Sequence, residues 1–275
     1  MNDEIQLSVI DDNGERIILS KEQKENELQN CKVYQMFKED IELQNYFFHE
    51  LTLLKEKWTC YSEAPERTVY TKREPGQNIL SVFFKFKVPT NLFYPLALLS
   101  EVDLFQHWMP YILRSEIMHN YSDFRKGLFV ERQFPFPLSN RVLILAASAY
   151  LVKERKGAMI MIRSFNDARK QNWGFDSNQI PKHNLVEATM ERGFMYIEHI
   201  DDNSCWYHGM ININPNFTFI PDWILNFTVK RMIYVIVGKL QNKDFFENEM
   251  IKKRMAERPE FYERVKNRLR EFSNI

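Results

Sequence analysis

Residues 135–141 read PFPLSNR, and they follow the acidic and aromatic run EVDLFQHWMP at 101–110. Pro135 and Pro137 have no backbone donor and hold φ at about −65°, so no regular central strand passes through them. Ser139-Asn140 then adds turn chemistry. One strand therefore ends before Pro135 and another begins at Arg141. The new strand, RVLILAASAYLV at 141–152, is apolar apart from the guanidinium that opens it. Arginine cannot shed its charge and is seldom buried without a partner. Alternation puts Leu143, Leu145 and Ala147 on the same side as Arg141, so the expectation is a strand whose first residue turns a charge toward an interior.

Working outward, stretches rich in β-branched and aromatic residues predict nine strands, at 58–64, 67–73, 79–88, 112–121, 127–134, 141–152, 158–165, 185–200 and 205–214. Helical spacing covers 20–57, with Phe37, Ile41, Leu51 and Leu54 as its apolar stripe, and returns at 90–107 as two short helices. A last helix starts near Ile220. Pro221 suits its first turn, Trp223, Ile224, Phe227 and Tyr234 are expected to face the sheet, and Asp222, Asn226 and Lys230 form a polar stripe. The segment 166–184 lacks periodicity and reads as a long loop. At the N-terminus, apolar runs at 5–10 and 16–19 flank Asp11-Asp12-Asn13-Gly14, a hairpin turn.

Composition narrows the class. The chain has 275 residues, 44% hydrophobic and 27% charged, which is the profile of a globular protein. Its 37 basic and 37 acidic residues balance, so no global field directs it to nucleic acid. The 22 Phe, 12 Tyr and 5 Trp suit either a large core or an apolar pocket. Three distant cysteines, Cys31, Cys60 and Cys205, read as reduced thiols rather than a disulfide framework or a zinc site. No secretory signal is visible and no apolar run spans a bilayer, so the expected setting is cytoplasmic, with an organelle matrix or a peripheral membrane location also open.

Three motifs in order resemble the steroidogenic acute regulatory protein-related lipid transfer (START) domains: Trp108 closing a short helix before the fourth strand, PFPLSNR at 135–141 joining the fifth and sixth strands, and IPDWILNF at 220–227 opening the last helix. Their form is most similar to the plant and protist branch. The resemblance runs over roughly residues 28–272. It implies an α+β helix-grip fold, a curved nine-stranded antiparallel sheet wrapped around a long C-terminal helix. It also implies one domain at 28–275 with a basic helical tail, preceded by an extension at 1–27 that is either a partner-docking hairpin or an unstructured tail.

The resemblance further implies a lipid or other hydrophobic ligand in an internal cavity, with an acidic residue of the fourth strand paired to the Arg of the S-N-R run. Glu116 and Arg141 stand at those places, and Leu143, Leu145, Trp223 and Phe227 would line the pocket with them. A lone guanidinium in an apolar cavity costs several kcal/mol unless a carboxylate and hydrogen bonds offset it, which makes the pairing physically reasonable. The chain departs from the family at Val142, where many relatives carry Asp or Glu.

From Lys252 to Glu271, eight Lys or Arg stand against four Glu. This tail is either a docking face for an anionic membrane surface or a solvated helix face. No HExxH, GxSxG or P-loop is present, and the histidines form no constellation. No catalytic residue, metal ligand or cofactor is assigned, and the chain is read as a lipid carrier or sensor rather than an enzyme. The alternative is an interaction or scaffold subunit of a larger assembly whose cavity is reduced or filled.

Overall fold

The computed structural model describes residues 8–10, 16–18, 20–73, 78–217 and 222–272. Strands β1 (Ser8–Ile10) and β2 (Arg16–Ile18) pair antiparallel by themselves, with Val9 opposite Ile17. The turn between them lies outside the described residues. Helices α1 (Lys21–Asn30), α2 (Lys32–Thr52) and α3 (Leu54–Lys57) fill the first helical region.

Strands β3 (Thr59–Ala64), β4 (Arg67–Lys72) and β5 (Leu80–Val88) form a meander. The chain then crosses through α4 (Phe93–Ser100) and α5 (Phe105–Trp108) to the far edge of the sheet. It returns strand by strand through β6 (Ile112–Ser122), β7 (Arg125–Arg132), β8 (Arg141–Val152) and β9 (Gly157–Ser164). After β10 (Val186–Glu187) come β11 (Thr189–Asp201) and β12 (Ser204–Asn214), and β12 closes beside β5. The order is β3-β4-β5-β12-β11-β9-β8-β7-β6, with β10 lying parallel to the start of β8. All nine expected strands are present, and the eighth is shortened. Its first residues form β10, and the break falls at Ala188, whose N–H bonds Val142 O at 2.8 Å.

The C-terminal region is α7 (Asp222–Phe227), a wide-turn π-helical segment (Thr228–Ile233) and α8 (Tyr234–Leu240), followed by α9 (Glu249–Glu257) and α10 (Pro259–Leu269). The expected start at Ile220 and Pro221 lies outside the described residues. Leu128, Val130, Leu143 and Leu145 from one flank of the sheet share a single core with Val69, Val82, Phe84 and Phe86 from the other. Ile224, Ile233, Val237 and Leu240 of the helix fill the space between. This is the helix-grip arrangement.

The sheet is apolar on both faces, and alternation sorts them. Odd-numbered residues of β8 enter the core under the C-terminal helix. Val142, Ile144 and Ala146 face outward, packed with Phe129, Trp173 and Phe175. The aromatics Trp173 and Phe175 come from the segment 166–184, which holds α6 (Asp167–Trp173) rather than an irregular loop. The signals were present: Asn166 Oδ1 accepts from Arg169 N at 2.8 Å as an N-cap, and Gly174, at φ +59°, ends the helix in the left-handed region that glycine tolerates best.

The apolar stripe of α2 is also redrawn. Leu51 and Leu54 pack on the outer face with Phe47, whereas Phe37 and Ile41 are 44% and 58% exposed. The residue that turns inward is Asp40, 2% exposed, because the outer face presents cations to it. Asp40 Oδ2 accepts from Arg125 at 2.6 Å and from Tyr150 Oη at 2.5 Å, and Oδ1 from Arg163 at 2.8 Å and Ser148 Oγ at 3.1 Å. Glu39 adds bonds from Arg163 and Arg169.

Close approach fixes one glycine of the inner face. A Cβ on Gly209 of β12 would fall 2.1 Å from Cζ of Phe84, whose ring stacks on Phe86 and Tyr207. Gly209→Ala is expected to destabilise by about 1–3 kcal/mol through overpacking, read from the urea midpoint. An unchanged midpoint would mean that the Phe84 ring swings away freely.

Buried His208 gives the fold a pH dependence. Its Nε2 lies 2.9 Å from Glu198 Oε2, and its ring packs on Phe83 and Tyr196. Burial holds the imidazole below its ordinary value. The hydrogen bond from His208 holds Glu198 below the usual carboxylate range. The unfolded chain therefore takes up the imidazole proton first as pH falls through about 6.5, and stability drops there. The depressed carboxylate is stabilising above its unfolded value and loses that contribution at lower pH, which adds in the same direction. Denaturant midpoints are expected to fall between pH 7 and pH 5, and His208→Phe should flatten the upper part of that decline.

Candidate functional site

The candidate site is the end of the concave face where β7 hands over to β8. Arg132 closes β7, Arg141 opens β8, and the two are directly opposite in the register. QFPFPLSN at 133–140 lies between them, with a turn over 135–138 and a cis Phe136–Pro137 bond. Arg141 is 6% exposed. Its Nε donates to Pro215 O at 2.7 Å, and Nη1 donates to Ser139 O at 2.8 Å, Ser139 Oγ at 2.7 Å and Asn140 O at 3.2 Å. The guanidinium also sits 4.6 Å from the centre of the Phe217 ring. Every one of these acceptors is neutral, and burial lowers the proton affinity of the group.

The expected partner does not meet it. Glu116 is opposite Phe129 in the register, and Phe129 is opposite Ile144, so all three project from the outer face. There the Glu116 carboxylate accepts from Arg114 Nε, whose guanidinium lies 4.9 Å from the Phe129 ring centre. The adjacent residue of β6, Ser115, is on the concave side, opposite Val130 and 2% exposed. A shift of one residue along a strand inverts the face, which is why an alignment uncertain by one position could not decide this.

Val142 is explained by the same alternation. It is fully buried on the outer face beneath α6, directed away from Arg141. An acidic side chain there would enter an apolar cluster, so the departure from the family pattern removes no partner from the concave side.

Leu143 and Leu145 lie on the concave face with Arg141, 2% and 4% exposed. Phe227 is half-buried and meets Tyr111 edge to face at 4.9 Å. Trp223 does not face the sheet; it is 43% exposed. Ile224 and Thr228 take the inward positions instead, so the buried face is rotated by one residue, about 100°. Thr228 Oγ1 returns a bond to Ile224 O at 2.9 Å where the helix widens.

Arg132 was not singled out from the sequence. The signal was its place at the end of the preceding strand, which sets it against Arg141 across QFPFPLSN at 133–140 once the two strands are taken as a hairpin. Its Nη2 lies 3.3 Å from Met232 Sδ of the wide-turn segment, and its Nε is enclosed without a hydrogen-bond partner. Burial alone lowers its guanidinium to about 10.

At the opposite end of the concave face, small apolar spaces of about 50 and 40 Å³ lie beneath α10 and around α4, lined in part by Leu96, Ala149, Ile160 and Val265. The basic tail is held here. Glu101, 2% exposed, accepts from Arg254, Arg258 and Tyr262 Oη, each at 2.6 Å. Arg254 also bonds Asp103, and Arg264 bonds Asp123. Acidic groups of the domain body thus offset the excess charge of the tail. Among the described residues, no His, Cys, Asp or Glu cluster is arranged to hold a metal ion, and no helix is long and apolar enough to cross a membrane.

The gripped helix and the Arg141 strand restart define the START-type helix-grip class, and the solved structures agree. Human STARD10 superposes with a TM-score of 0.60 at 14% identity, over 76% of this chain and 82% of that one. Human StAR-related lipid transfer protein 5 gives 0.57 at 11% identity, over 73% and 94%. A STAR-related lipid transfer protein of Xanthomonas axonopodis gives 0.53 at 15%, over 70% and 100%. No family model matches the sequence, and no curated protein does. At these identities the likeness is one of fold, and the chain has the START fold. The expected affinity with a plant and protist branch finds no support in these comparisons.

Proposed function

We propose that the protein binds a hydrophobic ligand, a lipid, against the concave face of its sheet and carries or senses it without chemical change. The observation that supports this most is the composition of that face. A continuous apolar surface through Leu128, Val130, Leu143 and Leu145 runs up to two guanidinium groups, the buried Arg141 and the half-buried Arg132, under a helix whose turns widen where it meets Arg132. Burial of an apolar chain there would supply about 25 cal/mol per Å². Wide-turn segments inside helices are frequent at functional sites.

The apolar spaces beneath α10 are far smaller than the roughly 300–1,000 Å³ of ordinary ligand pockets. Entry therefore requires the C-terminal helices to move. The same observation favours a second reading, an interaction or scaffold subunit whose interior is filled by its own aromatics, Phe84, Phe86 and Tyr207 among them. Native mass spectrometry of the protein after exposure to mixed vesicles, with a vesicle-to-vesicle transfer assay, separates the two. Bound lipid and accelerated transfer are expected. Failure of both would leave the scaffold reading.

A further inference from the structure

Among the described residues one lysine is buried, and it is enclosed without an ion pair. Lys126 of β7 stands opposite Ala147 of β8, on the concave side, and is 7% exposed. Lysine is almost never fully buried unless it is paired. Here Nζ donates to a neutral oxygen, Ser100 O at 2.8 Å, and lies 5.8 Å from the centre of the Phe261 ring. The carboxylates of this region are engaged by arginines: Glu101 by Arg254 and Arg258, Asp103 by Arg254, and Asp123 by Arg264. A single neutral acceptor suits an amine better than an ammonium, which has three N–H groups to satisfy. Burial is the largest influence on the group and opposes its charge, as does Arg258. Glu101, Asp103 and Asp123 favour the charge at longer range, and the balance holds Lys126 below its ordinary value.

The amine also borders room for a small molecule. The space of about 40 Å³ around α4 is lined by Lys126 together with Leu99, Ser100, Phe124 and Ile160. Ser100, Phe124 and Ile160 also line the space of about 50 Å³ beneath α10, so the two adjoin. A water molecule needs only about 10–15 Å³ of such volume, which leaves room here for a chain of a few carbons. Asp123, 36% exposed, and the exposed Arg268 stand at the rim, so the spaces open to solvent. A desolvated lysine amine among apolar groups is activated as a nucleophile toward carbonyl carbon.

We propose that Lys126 is a covalent capture site for small apolar aldehydes, which enter between α4 and α10 and condense with its amine. The nitrogen lone pair forms a C–N bond to the carbonyl carbon, and a proton passes from nitrogen to the carbonyl oxygen. That oxygen then leaves as water while the C=N bond forms. No electrons are gained or lost, and hydrolysis reverses the step. Such capture is independent of lipid carriage, and neither activity requires the other.

The test incubates the full chain at about pH 7.4 with butanal and cyanoborohydride, which fixes the imine as a secondary amine, and maps the adducts by peptide mass spectrometry. Lys126 is expected to label at least about tenfold faster than any exposed lysine, because only about one ordinary lysine amine in a thousand is neutral at that pH. The advantage should vanish in urea, and Lys126→Arg should remove the early adduct. Glyoxylate, a small aldehyde that carries a carboxylate, should show no preference for Lys126, since apolar walls reject its charge. Earlier labelling of exposed lysines, or an early adduct that survives Lys126→Arg, would overturn the site. An advantage that persists in urea would trace it to local sequence instead of the enclosure and would overturn it equally. Equal preference for butanal and glyoxylate would overturn the apolar character of the ligand. The wild-type comparisons decide the matter even where the variant fails to fold.

Discussion

Asp40→Ala is expected to destabilise the protein by about 3–5 kcal/mol, the range for removing one member of a buried ion pair. The magnitude follows from what is left behind. Arg163, 2% exposed, would keep only its bond to Glu39, and its Nε and Nη1 already lack partners. Arg125 and Ser148 would lose their carboxylate, and so would Tyr150 Oη. Glu39, more exposed and at the rim, serves as the control, and Glu39→Ala should cost only about 1 kcal/mol. Urea denaturation gives the totals, and amide exchange locates the loss. Exchange is expected to rise first along α2, which this network fastens to the outer face. If Asp40→Ala and Glu39→Ala proved equally mild, water would have to reach the guanidiniums, and the site would not be dry.

Glu101→Ala should be the next most damaging, at about 3 kcal/mol, and its effect should be regional. This carboxylate lies within the run EVDLFQHWMP and binds Arg254, Arg258 and Tyr262, so it joins α4 to both of the last helices. Burial pushes the Tyr262 hydroxyl up, and the neighbouring Glu101 adds to it, so the phenol stays protonated and donates. Lys126, which donates to Ser100 O at 2.8 Å, is held below its ordinary value by burial and would lose a nearby counter-charge as well. Faster amide exchange in α9 and α10, with β7 and β8 still protected, is the expected pattern. Uniform loss of protection would show instead that these helices unfold only with the sheet. If the carrier reading holds, ligand entry needs the C-terminal helices to move, and the same variant should speed lipid transfer.

Much of the architecture could be read from local chemistry. The double proline separates two strands, the charged opening of β8 faces inward as alternation requires, and the helix pair before Trp108 breaks between Ser100 and Val102. Failures came where a choice depended on residues far away in sequence. Phe37 and Ile41 satisfy a helical stripe, yet Asp40 is buried because Arg125 and Arg163, more than eighty residues on, wait on the outer face. Trp223 and Ile224 are neighbours with equal claim to the core, and only the seat against the sheet decided for Ile224. Glu116 sits one residue from the concave side, and in a strand one residue is the whole difference.

The sequence by itself therefore determined the strands, their breaks and the inward direction of Arg141, because these follow from backbone chemistry and a period of two. Only the tertiary structure decided what Arg141 faces. Pairing β7 with β8 brought Arg132 against it, and the parity of β6 carried Glu116 to the other face. The charge balance of a buried site is a sum over strands that the chain order does not place side by side.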